Sequence, residues 1–163
     1  MRTRITAILS LLTVAFVSPT TGVAAAADYT ATVTGFAAGD NDPPGGAIAY
    51  PGSAPRHGTA NGTGTYDNPV TLASDPRWLS AGTRVYIPYL KKYFVMEDLC
   101  GACQSDWSGG KRRVDVWIGY YTGSSAAACE SAITRSSATI VVGPASGLTV
   151  DTTPILGSSG CYL

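Results

Sequence analysis

Residues 73–119 read ASDPRWLSAGTRVYIPYLKKYFVMEDLCGACQSDWSGGKRRVDVWIG and set three of their four aspartates, Asp75, Asp98 and Asp115, among short apolar segments. Arg84 to Pro88, Tyr93 to Glu97 and Val114 to Ile118 are rich in Val, Tyr and Ile and are bounded by Gly, Pro and Ser, which marks short strands. In RVDVWIG (113–119) successive side chains point to opposite faces, so Val114, Val116 and Ile118 share one face while Asp115 and Trp117 share the other. That second face reads in two ways. It is either a polar, aromatic outer face, or a groove floor where Trp117 stacks on a sugar ring beside Asp115.

Working outward, Tyr29 to Phe36 (YTATVTGF) and Ala138 to Val142 have the same strand character. Two places invite helix: a turn over Asp75 to Leu79 begun by SDP, and Ser124 to Ile133, where SSAAACESAI offers a Ser cap and good helix formers. Short strands with little helix place the chain in the all-β class, as a closed barrel or a sandwich. Between the first strand and Thr71 lies a polar stretch, residues 37–70, full of Gly, Pro and Asn; loops of that length bind something or float free. The domain organisation follows: residues 1–27 as a leader, 28–143 as one domain containing the long loop, and 144–163 as a tail tied back by Cys161.

The leader carries Arg2 and Arg4, the apolar run ITAILSLLTVAFV and the small-residue tract GVAAAA, the layout of a secretory signal peptide. The apolar core is short of the ~20 residues needed to span a bilayer. The expectation is an exported, extracellular chain without a membrane anchor. Loss of Arg2 and Arg4 leaves nine Lys and Arg against eleven Asp and Glu, a small net negative charge. Nucleic acid and anionic membrane reward a clustered excess of basic residues, so neither is an expected partner.

Four cysteines, Cys100, Cys103, Cys129 and Cys161, remain in the exported chain and read as two disulfides. A four-thiolate zinc site on Cys100-x-x-Cys103 is the competing reading, but it lacks a second close pair. Neither metal nor cofactor is expected. Of the possible pairings, we expect each member of the close pair to bond a distant partner, one of these bridges pinning the tail. His57, the single histidine, reads as a solvent-exposed loop residue, and Asn61-Gly-Thr63 is a glycosylation sequon.

The order SDP, GTRVYIP, VMED and RVDVWIG over Ala73 to Gly119 resembles the 3D domain, named for three aspartates, of the double-psi β-barrel superfamily. That superfamily also includes rare lipoprotein A, a membrane-bound lytic transglycosylase, expansins, barwin and family 45 endoglucanases. The resemblance implies a six-stranded double-psi β-barrel with one or two short helices, stapled here by two disulfides. It places Asp115 at the catalytic acid of the lytic enzymes, Asp98 at the second family aspartate facing the same cleft, and Asp75 at a first aspartate with a turn-making role. Trp117, Tyr86 and Trp107, with Asp75, would line the substrate site; Tyr89 and Tyr93 suit stacking or a protein interface equally. This chain departs from the lytic members in the longer, cysteine-pinned segment after Asp98, and in Arg113 where His commonly stands two residues before the acid.

Three functions stand on this reading. The first is a monomeric cell-wall protein that binds, and cleaves or loosens, peptidoglycan or a cellulose-like β-glycan. Asp115 would be its general acid, its pKa raised by the nearby Asp98 carboxylate. The second is a non-catalytic carbohydrate-binding protein of expansin or barwin type. The third is an inhibitor of papain-type proteases, because a disulfide-stapled barrel of this size also resembles a secreted Streptomyces papain inhibitor.

Overall fold

The computed structural model describes residues 25–163, so most of the leader read at residues 1–27 lies outside the described residues. Six strands form a closed barrel: β1 (Ala27–Ala37), β2 (Val70–Ser74), β3 (Arg84–Ile87), β4 (Lys92–Leu99), β5 (Arg113–Gly119) and β6 (Arg135–Val142). Helix α1 (Gly101–Ser108) joins β4 to β5, and α2 (Ser124–Ile133) joins β5 to β6. A two-stranded ribbon, β7 (Leu156–Gly157) and β8 (Gly160–Cys161), closes the chain. No helix among the described residues is long and apolar enough to cross a membrane.

The order around the barrel is β1-β5-β2-β4-β3-β6. β1 runs parallel to β5 and β2 parallel to β4, while the other four neighbours are antiparallel. Exchanging each strand with the one three places along the chain maps this order and these directions onto themselves. β5 thus stands between β1 and β2, and β2 between β4 and β5. The connections β1–β2 and β4–β5 must therefore cross over a strand from the other half, which requires length. The first uses residues 38–69; the second contains α1.

Both faces of most strands are buried. Val33, Leu72, Val85, Phe94, Met96, Val114, Val116 and Ile140 have no exposure, and Ile133 of α2 joins them. A Cβ at Gly35 would stand 2.9 Å from Ile133 Cγ2, so glycine there lets α2 lie close on β1. α2 spans the predicted residues, but its N-cap is Gly123 rather than a serine and makes no side-chain cap bond. The predicted turn after SDP forms, the Asp75 carbonyl accepting from the N–H of Trp78 and Leu79.

One barrel strand and one helix were not predicted, nor was the β7–β8 ribbon within the segment read as a tail. β2 is buried at every position, so it lacks the alternation that announces a half-exposed strand. α1 arises from GACQSDWS, a sequence poor in strong helix formers, with Cys100 as N-cap accepting on its sulfur from the Cys103 N–H.

The disulfides join Cys100 to Cys103 and Cys129 to Cys161, which corrects the expected pairing. The helical turn brings residues three apart together, and the tail is pinned to α2 without either member of the close pair. Tyr86 and Tyr93, expected near a ligand, serve this tail: Tyr86 donates to the Thr149 carbonyl at 2.7 Å and Tyr93 to that of Ala145 at 2.7 Å. Lys92, almost fully buried, donates its ammonium to the carbonyls of Asp151 and Thr153. Burial lowers the Lys92 pKa, and the nearby Asp151 carboxylate works against that shift.

The polar loop 38–69 is docked rather than free. Between Leu72 and Ala73 the β2–β4 register skips a residue, pairing Leu72 with Met96 and Ala73 with Asp98. Glu97 is left as an extra residue, a β-bulge, freed from the ladder to face the loop. Its carboxylate, without exposure, accepts from the His57 N–H at 2.6 Å, the His57 Nδ1 at 2.8 Å and the Thr71 hydroxyl at 2.5 Å. Its carbonyl accepts from Tyr50 N–H at 2.9 Å. His57 is therefore a loop anchor, not the solvent-exposed residue expected; its other ring nitrogen lies 3.0 Å from Asn68 Oδ1.

Replacing Glu97 by Ala would leave the buried hydroxyl of Thr71 and the partly buried donors of His57 without an acceptor. The expected cost is about 3 kcal/mol, read as a lowered urea midpoint. A loss below about 1 kcal/mol would show that the loop docks without the carboxylate.

Candidate functional site

The barrel order places one residue from each of four adjacent strands in a row. Thr34 of β1 pairs with Asp115 of β5, Asp115 with Ala73 of β2, and Ala73 with Asp98 of β4. Paired residues point to the same face, so Asp115 and Asp98 stand on either side of Ala73, whose methyl group is low enough to leave space above it. That space is a cleft of about 470 Å³. Its walls come from the two crossing connections, Asp40 to Ala49 on one side and Leu99 to Ala102 on the other, with Phe36 at one end.

The lining contains four aspartates, Asp40, Asp42, Asp98 and Asp115, and no Lys, Arg or His. Asp115 accepts from the Thr34 hydroxyl at 2.8 Å on one oxygen, and its other oxygen has no partner among the described residues. Burial is the main cause that pushes its pKa up to about 6; Asp40 and Asp98 add repulsion, while the Thr34 hydroxyl and Arg113 oppose the shift. Asp98 is 6% exposed and accepts from the N–H groups of Ala49 at 2.9 Å and Leu99 at 2.8 Å through the same oxygen. Burial raises its pKa and those two N–H groups hold the rise back, with Glu97 adding a smaller upward push.

Asp40 accepts from the Ala37 N–H at 2.7 Å and also borders a second hollow formed with Thr122, Ala126 and Glu130. Burial, followed by Asp40 and Asp115, raises the Glu130 pKa. Among the described residues no group of three or more His, Cys, Asp or Glu is placed to hold a metal ion.

The other site residues read from the sequence lie elsewhere. Asp75 has no exposure and is held by Arg77, whose guanidinium lowers its pKa. Its carboxylate also accepts from Arg77 N–H at 2.7 Å, so it organises the turn after β2. Trp117, 5% exposed, packs edge-on against Phe36 and Tyr120 and borders a different hollow beside the tail. It shares a face with Asp115, as the alternation predicts, but Phe36 and the loop cover it. Trp107 lies 6.1 Å from Trp78, with Arg112 beside both rings, outside the cleft. Tyr86 is buried under the tail and Tyr89 donates to the Ile133 carbonyl.

Asp40, Thr34 and Ala73 were not singled out from the sequence. Thr34 and Ala73 carry no local signal, because only strand pairing brings them to Asp115; Asp40 sits in an undistinguished polar run, GDNDPPGG.

A family model described as the DDB_G0273701 N-terminal domain matches residues 28–162. The chain is 48% identical over 137 residues to an uncharacterized protein of Dictyostelium discoideum, DDB_G0273701/DDB_G0273221, covering 82% of this chain and 60% of the relative. It thus spans less than two thirds of that relative's length. No solved structure matches it.

The raised pKa of Asp115 links folding to proton uptake. Its folded value, about 6, exceeds the unfolded 3.8, so its contribution is full below pH about 4 and fades as pH rises through 6. Asp115→Asn should therefore be more stable than the parent at pH 7.5 by about 2 kcal/mol and nearly equal at pH 3, compared by urea denaturation at both. An equal effect at the two pH values would contradict the raised value.

Proposed function

The chain belongs to the DDB_G0273701 N-terminal domain family, and we propose that it is an exported double-psi β-barrel protein that binds and cleaves a β-linked cell-wall polysaccharide, with Asp115 as proton donor. The observation that carries this reading is Asp115 itself: a carboxyl with a pKa of about 6, one oxygen without a partner, at the floor of an open cleft. Such a group is still largely protonated in mildly acidic surroundings and can pass its proton to a glycosidic oxygen.

The double-psi assignment is supported by the strand order that maps onto itself and by the two crossing connections meeting at the cleft. Export is supported by two disulfides and by the leader sequence. Asp98 is the partner carboxylate. One strand separates it from Asp115, which sets their Cα atoms about 10 Å apart. Two carboxylates on one face across an intervening strand can work as acid and base through a water between them. Asp98, held by two N–H groups, is the base in this arrangement, and Ala73 leaves room for the water and the sugar ring. Phe36 and Ile48 in the lining offer apolar contact to the ring faces.

Purified peptidoglycan and cello-oligosaccharides are the substrates to test. Asp115→Asn should lower turnover about a hundredfold or more while leaving calorimetric affinity within about threefold, and parental turnover should decline as pH rises above about 6. Binding without turnover in the parent would reduce the reading to a carbohydrate-binding module. Neither binding nor turnover would remove it.

A further inference from the structure

Of the eleven acidic residues in the chain, five gather around two adjoining hollows. Asp40, Asp42, Asp98 and Asp115 line the cleft, and Asp40 is shared with the second hollow, of about 620 Å³, which Glu130 borders. No Lys, Arg or His lines either one. Among the described residues none of the five enters an ion pair. Arg113, which acts on Asp115 from outside the lining, is itself paired with Asp106 at 2.7 Å. The protein thus places no counterion in the lining of either hollow.

The five acids fall into two groups. Asp98, 6% exposed in the cleft lining, receives both of its N–H donors on one oxygen, and the other has no partner among the described residues. Asp115 is bonded in the same one-sided way by Thr34. A carboxylate oxygen withdrawn from water without a donor is costly, and a ligand that brings a donor relieves that cost. Asp40 and Asp42 stand exposed on the cleft wall and Glu130 is half-buried beside the second hollow. These three have no part in proton transfer at the floor.

We propose that the glycan taken by this cleft bears free amines, being a β-linked polymer of de-N-acetylated amino sugars whose ammonium groups pair with Asp40, Asp42 and Glu130. The inference rests on the glycan reading above and narrows it to a substrate class. The acids are strung along two hollows rather than gathered at a point, and no three of them are placed to hold a metal ion among the described residues. The complement of such a lining is a row of separate cations. A glycan with one amine per ring supplies that row, and its hydroxyls supply donors for the free oxygens of Asp98 and Asp115. Glycans that carry carboxylates are repelled, and an N-acetylated glycan leaves the wall acids without a charged partner.

The full-length protein is titrated by calorimetry at about pH 5.5, where sugar amines are protonated, with a β-1,4-linked glucosamine hexamer, its fully N-acetylated counterpart and a lysine hexapeptide. In about 20 mM sodium chloride the glucosamine hexamer should bind at least about tenfold more tightly than either of the others, and its advantage over the N-acetylated hexamer should shrink to about threefold in about 500 mM salt. In Asp40→Asn/Asp42→Asn the ratio of the two glycan affinities should fall about tenfold. Equal or tighter binding of the N-acetylated hexamer, or a preference that salt does not weaken, would overturn this inference and leave the glycan reading standing. A lysine peptide bound as tightly as the glucosamine hexamer would also overturn it, assigning the acids to a cationic peptide. Binding of neither glycan would overturn both readings together.

Discussion

The carboxylate of Glu97, held without exposure at a bulge in β4, is the interaction around which the molecule is arranged. A buried carboxylate is costly unless its oxygens are satisfied. Here the satisfying groups come from the long β1–β2 connection and from β2 itself: His57 through backbone and ring, and Thr71 through its hydroxyl. The requirement works in both directions. The loop gains a docking point that its glycines, prolines and asparagines could not supply by burial, and the strand gains a reason to skip one residue. The skip brings the next residue, Asp98, into line with Ala73 and Asp115.

The barrel topology explains why this happens where it does. With β5 inserted between β1 and β2, and β2 between β4 and β5, the two crossing connections converge over the centre of the four-strand row. Their meeting makes a cleft, and the small side chain of Ala73 keeps it open. On the far side, Lys92, Tyr86 and Tyr93 capture carbonyls of the C-terminal tail. Polar side chains that would suit a ligand are there consumed in closing the structure.

Much of the fold was legible in the sequence. β5 and α2 were apparent because their patterns are local: alternation in RVDVWIG, and a run of helix formers from Ser124 to Ile133. Of the aspartates, the turn-making role of Asp75 and the shared cleft of Asp98 and Asp115 correspond to the positions found. What was hidden was non-local. Leu72 and its neighbours are buried on both faces, and nothing in a five-residue segment reveals that. A phenol that holds a tail carbonyl has the same composition as one that stacks on a sugar, so Tyr86 was misplaced. Trp117 obeyed the alternation but was covered by Phe36, a contact set by strand register. His57 became an anchor only because Glu97, forty positions away, was turned toward it by a bulge.

The N–H that Ala49 gives to Asp98 belongs to the same loop that Glu97 holds. That bond lowers the proton affinity of Asp98. The burial that the same loop provides acts the other way and is the larger cause, so the net shift of Asp98 is upward. Proton occupancy in the cleft and loop position are thus two coordinates of one equilibrium, joined by two opposed contributions, the backbone amide that favours the carboxylate and the burial that favours the proton.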